Sequence, residues 1–268
     1  MGSVLTRRAG AVAVVLAATL TGCSAGAPAP KPAPVPSGPS APPAPSGLST
    51  AAGRTAASAL EPNDPAQELA QLRTALEAPP QPFSAVLTVE LTDGTLTARR
   101  QGVVNVSDGL QTGALGLVSV EQQTEHRAYL TVTRDATFTR TSDRAWVRSP
   151  RSPEPLFADH RAMAQALLQS DPASFRGLAR IRTMRGGMGF HLVGRLPLTA
   201  VTGAFDAAAR ERLTQHRVPD CTADLLLDAD GRLSELTLTC EADGYRLRST
   251  TGLAEFGPAA DTPPPTDL

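Results

Sequence analysis

The sequence predicts an α+β fold built on an antiparallel β-sheet, and three observations predict it. Runs in which apolar residues alternate with polar ones follow one another, separated mostly by tight turns. Two Asp-Gly pairs, Asp93-Gly94 and Asp108-Gly109, mark such turns early in the folded part. Helical spacing appears only in short stretches set among the strands. Short strands joined by tight turns pair with their sequence neighbours, which makes the sheet antiparallel. Solute-binding proteins of the periplasmic type alternate strands and helices around parallel sheets, so this order of elements excludes them.

The chain opens with Arg7-Arg8 and a 12-residue apolar run, Ala9 to Leu20. A charged start, a short apolar segment and small residues at a cleavage point make a signal peptide, residues 1–22. Leu20-Thr21-Gly22-Cys23 resembles the lipobox of bacterial lipoproteins. That resemblance implies that Cys23 becomes the mature N-terminus, is diacylated through its sulfur, and holds the chain on the extracytoplasmic face of the cell membrane. The alternatives are a plain secretory signal or a short membrane span, but 12 apolar residues fall short of the roughly 20 a spanning helix needs. Without residues 1–22 the chain carries 23 basic and 26 acidic residues, so nucleic acid is not an expected partner. Its only lysine is Lys31, and no basic cluster supplies an electrostatic anchor, so attachment falls to the acyl chains.

Residues 23–60 then form a Pro/Ala-rich disordered tether, with nine prolines between Pro28 and Pro45. At about 3.1 Å per residue it spaces the domain up to roughly 100 Å from the membrane. The folded domain is placed at residues 61–258. Asp64 caps a helix, Pro65 suits its first turn, Gln67 completes a capping-box pattern, and Leu69, Leu72 and Leu76 follow at helical spacing until Pro79-Pro80. Strands are expected at 83–91, 96–106, 110–120, 128–133 and 137–147. The period then changes. Asp159 precedes a helix whose Met163, Ala166 and Leu167 share a face, and Asp171-Pro172 starts a second helix carrying Phe175 and Leu178. A strand at 189–196, a helix with Phe205, Ala209 and Leu213, a final hairpin and a strand at 245–251 complete the domain. Residues 259–268 are a disordered Pro-rich tail.

The last hairpin has one consistent register. If Asp230-Gly231 is a two-residue turn, Leu225 faces Leu236, Ala223 faces Leu238 and Cys221 faces Cys240. A one-residue slip would set Leu225 against Glu235 and part the cysteines. Outside the cytoplasmic membrane the pair is most simply a disulfide, with two free thiols or a metal site as alternatives. If the two form a hydrogen-bonded pair, the wider spacing is less suited to a bridge.

Catalytic and metal signatures are missing from the sequence. His126, His160, His191 and His216 lie scattered, without H-E-x-x-H or H-x-H spacing, and suit surface or hydrogen-bonded positions. Asp228-Ala229-Asp230-Gly231 is a plain turn, because a calcium loop needs more oxygen donors and a distal Glu. Gly186-Gly187 and Gly189 lack the Gly-Lys-Ser/Thr of a phosphate loop. No cofactor, metal or enzymatic activity is expected.

Four stretches in order resemble the LppX/LprG-type lipoproteins, relatives of the lipoprotein carriers LolA and LolB. These are Thr137-Phe138-Thr139 leading to Arg144-Ala145-Trp146-Val147; Asp171-Pro172; Leu227 to Leu233; and Phe256-Gly257-Pro258 before the proline tail. The resemblance implies a half-barrel: a curved antiparallel sheet whose concave apolar face is covered by helices, with room for acyl chains between them. It also implies a monomer that binds lipid or an acylated glycolipid and carries it across the envelope. Phe83, Leu87, Val89, Leu130, Phe138, Trp146, Met163, Leu167 and Phe175 are the cavity-lining candidates. Core packing is the competing role for each, and with a closed core the chain would be a non-catalytic interaction or signalling lipoprotein.

Overall fold

The computed structural model describes residues 64–121, 123–142, 144–182 and 187–266. The leader, Cys23, the tether and Gly186 lie outside them. In chain order the elements are α1 (Pro65–Glu77), β1 (Phe83–Thr92), β2 (Leu96–Ser107), β3 (Leu110–Glu121), β4 (Thr124–Val132), β5 (Ala136–Thr141) and β6 (Val147–Pro150). Then come α2 (His160–Ser170), β7 (Phe175–Arg180), β8 (Met188–Pro197), α3 (Leu198–Val201), α4 (Ala207–Gln215), β9 (Asp220–Leu227), β10 (Leu233–Ala242) and β11 (Tyr245–Gly257).

The strands form one antiparallel sheet in the order β6-β5-β4-β3-β2-β1-β11-β10-β9-β8-β7. Two meanders, β1 to β6 and β7 to β11, each pair sequence neighbours. They join where β1 meets β11, with Leu87 opposite Leu253 and Val89 opposite Thr251. The sheet is not closed, and β6 and β7 are its edges.

Alternation assigns the faces. Phe83, Ala85, Leu87, Val89 and Leu91 of β1 are buried, as are Leu225 and Leu227 of β9, Leu236 and Leu238 of β10, and Leu247 and Leu253 of β11. Against this inner face pack Leu72 and Leu76 of α1, Met163 and Leu167 of α2, and Leu213 of α4. Each long helix starts on an aspartate whose carboxylate accepts an otherwise unpaired N–H: Asp64 from Ala66 at 3.2 Å, Asp159 from Ala162 at 3.0 Å, Asp206 from Ala209 at 2.9 Å. Helix α2 sits close on β8 at Gly194, where a Cβ would stand 2.8 Å from Leu167 Cδ2. A larger residue there would force the Leu167 side chain to move.

Helix α4 is fixed through a turn. Asp93 accepts hydrogen bonds from Leu96 N (2.8 Å), Thr95 N (3.0 Å) and Thr95 Oγ1 (2.8 Å), and from Arg212 of α4 at 2.7 Å. Burial by itself would push this carboxyl up, but those four donors outweigh it and hold Asp93 at about 2. The other arm of Arg212 reaches Glu121 at 2.7 Å, so one side chain ties α4 to the β1–β2 turn and the end of β3.

The structure departs from the sequence expectations in several places. The strand expected at 137–147 breaks into β5 and β6, because Ser142 takes a left-handed φ of 46° and a turn intervenes. Strand β4 begins four residues early, at Thr124. The second helix expected after Asp171 is one 3-10 turn, Pro172–Ser174, and Phe175 and Leu178 belong to β7. Gly177, at φ 83°, cannot continue a right-handed helix, and Phe175 pairs with Leu192. In the last hairpin the pairs Leu225/Leu236, Ala223/Leu238 and Cys221/Cys240 form as anticipated. The turn does not. Leu227 pairs with Leu233 around a longer loop, and a bulge between Leu233 and Glu235 restores the register. The carboxylate of Asp228 organises that loop by accepting from Asp230 N (3.0 Å) and Arg232 N (2.8 Å). The described residues of the tail form no helix or strand, yet Ala260 N donates to Asn105 Oδ1 at 3.0 Å and Thr262 Oγ1 to Thr112 Oγ1 at 2.9 Å. It crosses the outer face of the sheet instead of trailing away.

Cys221 and Cys240 form a disulfide with Cα atoms 4.2 Å apart. This is the narrow spacing of a non-hydrogen-bonded pair, which suits a bridge. Replacing both by alanine should lower unfolding stability by about 3 kcal/mol, as loop-closure entropy returns to the unfolded chain. A urea titration of the double variant beside the parent measures it.

Candidate functional site

A cleft of 860 Å³ opens where the outward side of α1, the segment entering α2 and the β9–β10 loop converge above the start of β1. Its apolar wall includes Ala75, Pro79, Pro80, Phe83, Val106 and Phe157, and Gln71, Thr74 and Gln81 add polar groups. Three local arrangements shape it.

Arg161 closes the C-terminal end of α1. Its Nη2 donates to the carbonyls of Ala75 (2.8 Å), Leu76 (2.5 Å) and Ala78 (2.6 Å), groups that a helix end leaves unpaired and that attract a cation. Gly231 brings the β9–β10 loop onto the same helix. It has φ 70°, a left-handed conformation that favours glycine, and a Cβ would lie a tight 3.1 Å from Ala75 O. Gln111 of β3 seats Phe157: its Oε1 accepts from Leu156 N (2.7 Å) and Phe157 N (3.0 Å), and its Nε2 donates to Phe157 O (3.2 Å).

Phe83 is held from behind. A bulge in β11, where Ser84 pairs with Gly257 and Val86 with Ala254, turns Phe256 inward, with Glu255 at φ 55°. The Phe83 and Phe256 rings meet edge to face at 5.4 Å, and the Arg232 guanidinium lies 4.5 Å from the Phe256 centroid. Arg232 also pairs with Asp228 at 2.7 Å and Asp230 at 3.0 Å. Both cations at the cleft are thus engaged with carbonyl or carboxylate oxygens, and the space beside them offers shape and apolar contact more than charge.

His160 is the buried histidine of the cleft, with backbone hydrogen bonds at Gly231 and Ala158. Its ring stacks on Phe157 with centroids 6.3 Å apart, and its buried Nδ1 has no hydrogen-bond partner among the described residues. Burial pulls its pKa down to about 4, with Arg161 acting the same way and Asp159 and the Gly231 carbonyl opposing. Of the other histidines, His191 Nε2 lies 3.0 Å from Asp224 Oδ1, and His216 stacks flat on Tyr245 at 3.9 Å. No group of three or more His, Cys, Asp or Glu among the described residues stands close enough to hold a metal.

The nine cavity candidates separate. Phe83 alone lines the cleft. Leu87, Val89, Met163 and Leu167 belong to the packed core, all at 8% exposure or less. Phe175 and Leu130 are half-buried against it. Register carries the inner face from Ala85 through Val104, Gly113 and Val132 to Thr137, so Phe138 points outward. It lines a smaller pocket of 530 Å³ beneath the tail. Trp146 is on that outer side too, stacked on Arg140. Sequence inspection missed the cleft residues Gln111, Phe157 and Arg161: Gln111 and Arg161 are polar positions within an expected strand and helix, Phe157 lies in the connecting segment, and no local signal brings the three together.

Because the folded His160 takes its proton only near pH 4 and an unfolded histidine near 6.5, the unfolded chain binds more protons between those values. Stability should therefore fall as pH drops through that window, by up to about 3 kcal/mol. Urea midpoints at pH 7 and pH 5 should differ less for His160→Phe than for the parent.

No protein-family model matches this chain, and no curated protein does. Among solved structures the chain is similar to the lipoprotein LppX of Mycobacterium tuberculosis, with 12% identity, a TM-score of 0.39, and coverage of 75% of this chain and 100% of that one. It is also similar to a domain from Vibrio parahaemolyticus described as an outer membrane lipoprotein-sorting protein, with 10% identity, a TM-score of 0.21, and coverage of 72% and 93%. A beta-barrel-like protein of unknown function from Brucella abortus gives 12% identity, a TM-score of 0.21, and coverage of 68% and 99%.

Proposed function

We propose that this protein is a cell-envelope lipoprotein, anchored through acylated Cys23 on the extracytoplasmic face of the membrane, that shelters an acyl chain in the cleft between α1 and the β9–β10 loop. The observation that carries the reading is the cleft itself, since 860 Å³ walled by phenylalanine, proline and alanine lies within the range of ligand pockets, roughly 300–1,000 Å³. The lipobox-like Leu20-Thr21-Gly22-Cys23 and the long tether support the anchor, and no helix among the described residues is long and apolar enough to cross a membrane. Lipid carriage is non-catalytic in this reading.

The closed-core alternative, an interaction lipoprotein, is favoured by a specific observation: Leu167, Leu192, Leu225 and Leu213 have no exposed surface, so helices and sheet meet without a gap over β8 and β9. The bound chain therefore belongs at the end of the sheet and not between its layers. Cys23→Ser protein made in a membrane-containing host should leave the membrane fraction and yield about one equivalent of lipid on extraction and mass spectrometry. Ala70→Trp, which fills the cleft from the exposed side of α1, should remove most of that lipid without changing the fold. Protein free of lipid in both forms would leave the interaction reading.

A further inference from the structure

The outer face of β2 to β5 carries apolar surface that the cleft does not explain. In an antiparallel sheet with one face in water, the outward residues are normally polar. Strand β3 breaks that rule. Its outward positions run Leu110, Thr112, Ala114, Gly116, Val118, Val120, with no charge among them. The tail covers the Leu110 end, where Thr262 meets Thr112. The remainder is open: Val103, opposite Ala114, is 50% exposed, Tyr129, opposite Gly116, 40%, and Val120 38%. Beside them the Arg140 guanidinium carbon lies 4.8 Å from the ring centroids of both Tyr129 and Trp146.

The charges around this stripe indicate what covers it. Among the described residues, Arg99, Arg127, Arg140 and Arg148 share the face by register with Glu90 and Glu125, and the tail adds Asp261 near Arg148. Glu90 pairs with Arg99 at 3.7 Å and Glu125 with Arg127. The face is therefore net positive although the chain without its leader is net acidic. Apolar side chains, a tyrosine, a tryptophan and arginines on one exposed surface suit the boundary between lipid tails and anionic headgroups, where aromatic rings settle at headgroup level and each arginine is drawn to the negative surface.

We propose that the outer face of β2 to β5 docks on an anionic membrane surface, with Val103 and Tyr129 against the lipid and Trp146 at the headgroups. The tether raises the concentration of this face at the membrane, so modest intrinsic affinity is enough. Docking does not depend on the cleft: Ala70→Trp leaves it unchanged, so this proposal and the acyl-chain reading fail separately.

The test uses full-length Cys23→Ser protein, which lacks the acyl anchor, and vesicles of phosphatidylcholine with or without phosphatidylglycerol. Trp146 is the only tryptophan in the chain, so its emission reports this face directly. On phosphatidylglycerol vesicles its emission should shift to the blue and the protein should co-sediment, with binding weakened by salt. Val103→Ser with Tyr129→Ser should reduce binding about tenfold, and Arg148→Ser roughly fivefold. These positions are exposed, and unchanged thermal melting confirms that the variants fold. Absence of vesicle binding, or binding without a shift at Trp146, overturns the proposal. So does a dimer in sedimentation equilibrium that the Val103/Tyr129 variant abolishes, which would assign the face to a second copy of the chain.

Discussion

The pairing of β1 with β11 is the contact on which the rest of the structure depends. Every other strand pair in the sheet joins sequence neighbours, so each meander assembles from local contacts at low cost in loop-closure entropy. Only β1 against β11 makes the two meanders one sheet. It sets Leu87 beside Leu253 in a continuous inner face, and the bulge near its end turns Phe256 against Phe83. Without it, one half of the core has no second half to pack on, and the cleft loses its floor.

The helices divide the inner face unequally. Over β8 to β11 they meet the sheet at full contact, because Gly194 lets α2 settle close and leucines fill both layers. At the end of the sheet α1 stops at Pro79-Pro80, and the carbonyls it leaves open are taken by Arg161 from the segment entering α2. Helix, segment and loop thus meet at their ends, where three pieces of backbone cannot close-pack as side chains do in a core. The cleft follows from that geometry. Its cations are already committed to backbone and carboxylate oxygens, which leaves an apolar wall with a neutral, stacked His160.

The same constraint explains the outer face. A sheet that turns one surface to a helix layer has a second surface with no layer of its own, and among the described residues the tail, held by Asn105 and Thr112, covers one end of it. Arg140 covers part of the rest by lying between Tyr129 and Trp146. A cation held between two rings keeps both from water on one side and leaves their outer edges exposed.

Much of this was legible in the sequence, and what was not has a physical cause. Alternation in β1 and the Cys221/Cys240 register follow from side chains that repeat every two residues, and the aspartate caps of α1 and α2 from local hydrogen bonding. Such features need only a few neighbouring residues. Phe175 and Leu178 misled because a spacing of three fits one helical turn as well as a bulged edge strand, and only pairing with β8 decides between them. Phe138 and Trp146 misled for a related reason: hydrophobicity signals burial without saying on which side of a sheet. That side is fixed by register accumulated across five strands. The sequence by itself determined most of the strands, the caps of α1 and α2 and the Cys221/Cys240 register; the tertiary structure alone decided the edge strand β7 and where open space remains, because a cleft is bounded by residues distant in the chain whose separation no local pattern encodes.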